Sequence, residues 1–337
     1  MSTDWTEAYG YFGGGGVPMS MPVELGTTTV DPGEKAWVEL PVAEDADTSE
    51  IVIHACVING GEGPTLWAQG LLHGSEHVGG LALRDSLTDI DPADVSGTII
   101  GVPVANPPAF AAKHRLSPID GSDVNRSFRG DPTGTFSEML AHTLFSTAEA
   151  HADFVLDLHN GGNEYVVPGF SIFSRTDDAT EATVREMLDV AGLPYAVGID
   201  REFGGSMGTE LADAGIPSAV IEVGGRGHIT QDYYDANRHA IENIAKQVDV
   251  LAGAPTEETA PTYYDELEWL RTPTGGFFEP AVEANTHVEA GTVMARVTDV
   301  TGDTKHTFEA PDDAVVLCMR TYGMARPGDW AIEIAPA

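Results

Sequence analysis

Lysine is nearly missing from this chain. It occurs four times in 337 residues, at Lys35, Lys113, Lys246 and Lys305. Lysine and arginine together supply 17 positive charges against 53 aspartates and glutamates, a net charge of −36. Nucleic acids are gripped through their phosphates by lysine and arginine, so this balance excludes them as partners. Anionic membrane surfaces are excluded for the same reason. Cysteine is scarce too: Cys56 and Cys318 make neither a CxxC pair nor a disulfide framework. Cys56 stands in the apolar run Ile51–Ile58 and reads as a small buried hydrophobe. No apolar stretch approaches the ~20 residues of a membrane span. No basic segment followed by an apolar one marks the N-terminus as a leader, so the expected location is cytoplasmic. An acidic surface over 42% hydrophobic residues is the pattern of a soluble protein working in high salt, where self-repulsion is screened. An acidic protein of an ordinary cytosol is the alternative.

The length suits one large domain and a smaller one. Residues 1–22 hold the tetraglycine Gly13–Gly16 and little periodicity, and read as a flexible tail. Val23–Pro41 alternates weakly, as edge strands do. Strand-like runs follow at Ile51–Ile58, Thr65–Leu72, Thr98–Val104, Phe154–Leu158, Phe170–Phe173 and Ser218–Val223. Helix-like segments are interleaved at Glu76–Leu87, Ser137–His151, Asp177–Ala191, Thr209–Ala214 and Tyr233–Leu251. This alternation predicts an α/β catalytic domain over residues 23–253, with a mainly parallel sheet flanked by helices. A Gly/Pro/Thr-rich linker runs from Gly253 to Pro261. Short β-type runs then predict a small all-β module over residues 262–337.

Two predicted strands end on histidines. His73-Gly74-Ser75-Glu76 follows the first, and Asp157-Leu158-His159 closes the other. Ligands of parallel sheets bind just outside the carboxyl ends of the strands. Two imidazoles and one carboxylate form a known catalytic zinc set that leaves a position for water. His73, Glu76 and His159 are therefore the candidate ligands of one Zn²⁺, and His77 is read as structural. A polar loop with a dipole-favoured glutamate at a helix start is the alternative for the first motif. Asp157, two residues before His159, shares its face and can orient a metal-bound ring or cap local backbone.

The segment from Asn106 to Phe128 reads as a long polar loop with two arginines. Arginine offers a planar fork to a carboxylate or a developing oxyanion. Arg115 is a candidate for polarising a carbonyl, and Arg126 beside Asn125 for clamping a carboxylate. Alternatively both neutralise acids such as Asp120 and Asp123. Glu222 closes the apolar run Ser218–Ile221, where a lone acid is costly without a task. It is placed to act as general base on an activated water, or else to pair with Arg226 or Arg201.

Together these segments resemble the succinylglutamate desuccinylase/aspartoacylase family of the zinc carboxypeptidase-like clan. The likeness rests on His73–Glu76, Asn106-Pro107, Arg115, Asp120–Phe128, Asp157–His159 and Glu222–Gly225, and runs from about Val23 to the C-terminus. The string Asp157-Leu158-His159-Asn160-Gly161-Gly162 is similar to the subgroup that contains N-acetyl-diaminobutyrate deacetylases. The resemblance implies a zinc-carboxypeptidase-like fold and one zinc per chain on His73, Glu76 and His159. It implies Glu222 as base and then acid, Arg115 at the scissile carbonyl, and Asn125 and Arg126 on a substrate carboxylate. The implied activity is hydrolysis of a small N-acyl amino acid or amine. A metallocarboxypeptidase and a non-catalytic zinc-containing binder are the rivals. One departure stands out: Arg129 replaces the family's usual proline, placing a charge expected near the clamp. The resemblance also brings Tyr322 and its neighbours toward the substrate. A homo-oligomer stays open.

Overall fold

A computed structural model describes residues 21–176, 178–200, 204–256 and 258–337. All but the last two residues of the tail expected over 1–22 lie outside the described residues, as do position 177, at the expected start of a helix, and Arg201. The first strands are β1 (Val23–Leu25), β2 (Thr28–Val30), β3 (Glu34–Glu44), β4 (Glu50–Asn59) and β5 (Thr65–Gly70). Then come α1 (His77–Asp89), β6 (Thr98–Val102), α2 (Pro107–Ala112), α3 (Phe136–His151), β7 (Phe154–His159) and β8 (Tyr165–Ser174). The α/β region closes with α4 (Asp178–Asp189), β9 (Tyr195–Ile199), α5 (Met207–Asp213), β10 (Ser218–Gly225) and α6 (Gln231–Gln247). The C-terminal strands are β11 (Thr262–Tyr264), β12 (Glu268–Arg271), β13 (Phe277–Pro280), β14 (Thr286–Val288), β15 (Val293–Thr298), β16 (Thr304–Glu309), β17 (Ala314–Arg320) and β18 (Trp330–Pro336).

The expected α/β architecture is present. Strands β10, β7, β5 and β6 run parallel to their neighbours at the centre of one large mixed sheet. Antiparallel β4 and β3 extend it on one side, and antiparallel β8 on the other. The central strands are buried on both faces, and so read as continuous apolar runs. In β5, Leu66 and Ala68 pack with α1, α4 and α6, while Trp67 points to the opposite core with α3 and α5. α3 starts on a reciprocal cap, in which Thr135 and Glu138 each accept from the other's backbone or hydroxyl. No helix among the described residues is long and apolar enough to cross a membrane.

Beyond residue 261 the sheet continues without a break. β17 pairs antiparallel with β8, β18 with β17, and β12 with β18. β11 adds in parallel to β9. Only β13, β15 and β16 form a separate three-stranded sheet. The C-terminal strands therefore stand as a wall beside the ends of the parallel strands.

Several local expectations shift. The strand expected to reach Leu72 stops at Gly70, because Leu71 turns into the left-handed region at φ 56°. His73 thus lies in the loop after the strand. The helix expected from Glu76 starts at His77, with Glu76 as its cap residue and making no capping bond of its own. Its carboxylate is engaged elsewhere. The loop expected from Asn106 opens instead with α2. Asn106 accepts from Ala109 N and Pro107 takes the first helical position, where a missing N–H costs nothing. Cys56 is buried as expected, and burial pushes its thiol up to about 11.

Candidate active site

The loop between β5 and α1 is pinned by its neighbours. Asn106 Nδ2 donates to Leu72 O at 3.2 Å. A Cβ on Gly74 would sit 1.9 Å from the carbonyl carbon of Ala109, so only glycine fits against α2 there. This packing holds His73 and Glu76 above the end of β5. His159 ends β7, and Glu222 on β10 is its direct register partner. Neighbouring strands thus deliver all four residues to the carboxyl ends of the parallel strands, where the ligands of such sheets are bound.

His73, Glu76 and His159 each offer a donor atom within 4.8 Å of the others, and each residue is at most 3% exposed. His159 Nδ1 lies 2.8 Å from Glu76 Oε2. His73 Nδ1 lies 2.9 Å from Glu76 Oε1 but off the line of a hydrogen bond, which leaves it a buried nitrogen without a partner. Imidazole and carboxylate lone pairs turned toward one point are what a divalent metal requires, so these residues fit a metal site. The remaining ring nitrogens face carboxylates. His73 Nε2 is 3.0 Å from Asp123 Oδ1 and hydrogen-bonded to it, and His159 Nε2 is 3.1 Å from Asp157 Oδ2 but off the line of a hydrogen bond. A hydrogen-bonded acid behind an imidazole fixes its tautomer, as Asp123 does for His73, and a carboxylate beside the ring raises its basicity as a ligand. Asp157 therefore faces its histidine rather than capping backbone. Asp123 does the same for His73, a role with no local signal, since the partners lie fifty residues apart.

The charges of this cluster depend on one another. Burial opposes ionisation of Glu76, yet His73 and His159 hold its carboxyl well below the usual range. Burial likewise works against Asp123 and is overcome by His73 and Arg115. Burial disfavours the charged form of His159, but Asp157 and Glu76 raise it well above its ordinary value. Glu222 goes the other way. Burial pushes it up to about 8, with His159 and Arg115 pulling down and Glu76 and Asp157 pushing up. Arg226 is exposed and makes no ion pair with Glu222.

Arg115 is brought into the cluster. Its Nη1 lies 3.3 Å from Glu76 Oε1, and its Nη2 lies 3.1 Å from Asp123 Oδ2. The acid-pairing alternative is thus realised in the same geometry that sets the guanidinium beside the candidate ligands. Asn125 and Arg126 line the cavity. Asn125 Oδ1 accepts from Met207 N at 3.0 Å, which leaves the amide NH₂ as its other polar end. Asp120 anchors the loop by accepting from Ser137 N at 2.7 Å and Ser137 Oγ at 2.8 Å. His77 hydrogen-bonds Ser75 O at 3.2 Å, outside the cluster.

Two expectations are corrected. Arg129 does not add charge at the clamp: it pairs with Glu210 at 3.1 Å and lies over Phe145. Its long side chain is drawn to an acid and a ring on α5 and α3. Tyr322 is 51% exposed and is not part of the cavity lining. The C-terminal segment contributes Leu267, Trp269, Cys318, Trp330 and Glu333 instead. Trp330 stacks on Trp269 at 4.8 Å, and the Arg115 guanidinium lies 5.4 Å from its ring centre. The cleft holds about 500 Å³, a volume suited to a small molecule.

Known proteins share this fold. The model of the succinylglutamate desuccinylase/aspartoacylase catalytic domain matches residues 62–248. An N-alpha-acetyl-L-2,4-diaminobutyric acid deacetylase of Halomonas elongata is 30% identical over 331 residues, 94% of this chain and 95% of that protein. The product-bound structure of the ectoine utilization protein EutE (DoeB) from Ruegeria pomeroyi superposes with a TM-score of 0.85 at 26% identity, over 96% of this chain and 100% of that one. A succinylglutamate desuccinylase/aspartoacylase from Rhodobacter sphaeroides gives 0.80 at 28% identity, over 90% and 95%. A catalytic-domain match over more than half the chain, joined to a deacetylase relative along nearly all of it, makes this protein a member of the succinylglutamate desuccinylase/aspartoacylase family of deacylases.

Proposed function

We propose that the protein is a zinc-dependent deacylase that hydrolyses the amide bond of a small N-acyl amino acid. The observation that carries this reading is the buried His73–Glu76–His159 cluster with Glu222 beside it on the next strand. The substrate of the Halomonas relative, N-acetylated 2,4-diaminobutyrate, is the leading candidate. His73, Glu76 and His159 hold one Zn²⁺, with Asp123 and Asp157 orienting the two rings. A zinc ion so held acidifies water and polarises a carbonyl.

The chain's own groups do the rest. Glu222 accepts a proton from the attacking water as oxygen adds to the amide carbon. Arg115 faces the oxygen on which negative charge develops. Glu222 returns the proton to the amide nitrogen as the C–N bond breaks, giving a carboxylate and a free amine. Arg126 and the Asn125 amide NH₂ hold the substrate's α-carboxylate, which fixes the scissile bond in place. A cavity of about 500 Å³, walled by the stacked Trp269 and Trp330, favours a small substrate over a peptide C-terminus. Operation in the cytoplasm at high salt completes the reading, from the net charge of −36.

The test is an amine-release assay with the zinc-loaded full chain on N-acetyl amino acids and on peptides with free C-termini, in high salt. Release from an N-acetyl amino acid with none from peptides supports the deacylase. Cleavage of peptides alone supports the carboxypeptidase reading instead.

A further inference from the structure

One buried acid in the cavity has no part in this chemistry. Glu333 sits in the middle of β18, between Ile332 and Ile334, and is 4% exposed. Its register partners are Cys318 on β17 and Trp269 on β12. Directly opposed residues of antiparallel strands project to one face, and all three line the cavity. Ile332 and Ile334 point the other way into the apolar core of the C-terminal strands. Among the described residues no hydrogen bond or ion pair reaches the Glu333 carboxylate. The cation that acts on it is Arg115, whose fork is already held by Glu76 and Asp123. Burial pushes the Glu333 carboxyl well above its ordinary range, and the neighbouring Glu222 adds to the push. A carboxylate enclosed among apolar residues without a partner is costly. A bound cation relieves that cost.

We propose that Glu333 is a specificity-determining residue that receives a cationic group of the substrate, so that the site selects N-acyl diamino acids carrying a terminal ammonium. This rests on the deacylase reading above and adds the side-chain end of the substrate to it. The α-carboxylate goes to Arg126 and Asn125 on the catalytic loop, and the ammonium goes to Glu333 on the C-terminal wall. A substrate bearing opposite charges is then sorted by opposite charges on two different elements. An N-acyl aspartate or glutamate would set its side-chain carboxylate against Glu333 and is rejected.

The test compares the zinc-loaded full chain on three substrates: Nα-acetyl-2,4-diaminobutyrate, its neutral isostere N-acetylnorvaline, and N-acetylaspartate. The wild-type protein is expected to prefer the cationic substrate over the isostere by roughly 30-fold or more in kcat/KM, carried mainly by KM, the scale of losing one partner of a buried charge pair. Glu333→Gln is expected to remove most of that preference while still turning over the isostere. Glu333→Lys is expected to shift preference toward N-acetylaspartate, which general damage to the fold would not do. Wild-type rates on the cationic and neutral substrates within threefold of each other overturn the proposal, whatever the variants do. Should no substrate be cleaved, calorimetric titration with 2,4-diaminobutyrate and norvaline separates the two ideas. Preferential binding of the diamine then upholds Glu333 and removes the deacylase reading, and equal binding removes both.

Discussion

Glu222 stands beside His159 with its carboxyl pushed up to about 8 by burial. Glu222→Gln preserves the shape of the side chain and removes the proposed base. Turnover is expected to fall about 10²–10⁴-fold, while zinc content by elemental analysis stays that of the wild type. Wild-type turnover in this variant would remove Glu222 from the mechanism. Protonation of the cluster also links stability to pH once metal is stripped away. His159 is raised well above 6.5, burial opposing the shift and Asp157 and Glu76 driving it. A base raised on folding stabilises below its unfolded value, and that stability is lost as pH climbs through the folded value. Glu222, raised from 4.5 to about 8, holds its proton in the folded but not the unfolded chain across that interval. Its contribution also shrinks as pH rises. The thermal midpoint of the metal-free protein should therefore fall between about pH 5 and about pH 8. The zinc-loaded protein should lose less over the same range, because the metal replaces the proton on His159. A metal-free midpoint that rises over this range contradicts the described cluster. Not all of these residues were equally legible in the sequence. Glu222 is visible as a lone acid after an apolar run, and Glu333, inside Ala331-Ile332-Glu333-Ile334, is likewise a lone acid among apolar residues. Asp123 carries none, because its tie to His73 exists only in the folded chain.

At the level of elements, the short connection from β5 to α1 carries two of the three candidate ligands. Its shape depends on α2 lying against Gly74 with no room for a Cβ. Gly74→Ala must push the loop off α2 and His73 with it. Zinc affinity, measured by competition with a chelator, is expected to drop roughly 10–100-fold, the cost typical of disturbing the support of a ligand. Gly323→Ala, where a Cβ meets nothing within 4 Å, is the control and should bind as the wild type does. The parallel strands and large helices were readable because each is a buried apolar run or an amphipathic repeat. α2 was signalled by Asn106 and Pro107, a cap followed by proline, although the polar sequence beyond it reads as loop. β9 is only five residues long and contains Gly198. β16 is Thr304–Glu309, half exposed and largely polar, so its pairing with β15 supplies the order that its composition does not.

Across the whole molecule, one sheet joins the metal-site strands to the wall that bears Trp269, Trp330 and Glu333. This continuity lets the candidate site at the ends of β5, β7 and β10 share a cavity with residues from the far end of the chain, such as Glu333. It was not legible from the linker-like composition of residues 253–261, because backbone pairing between distant strands leaves little trace in local sequence. The charge of −36 spreads repulsion over the same molecule. Salt shortens the reach of that repulsion, to about 3 Å at 1 M. The thermal midpoint is therefore expected to rise with potassium chloride up to molar concentrations, measured by calorimetry. A midpoint indifferent to salt would return the chain to the ordinary acidic proteins.

The most direct measurement follows amine release from Nα-acetyl-2,4-diaminobutyrate by the full chain before chelation, after it, and after zinc is returned. Release should vanish with the metal and come back with about one zinc per chain, the number a single three-ligand site takes. Release that survives complete metal removal would contradict the claim that His73, Glu76 and His159 hold the catalytic ion.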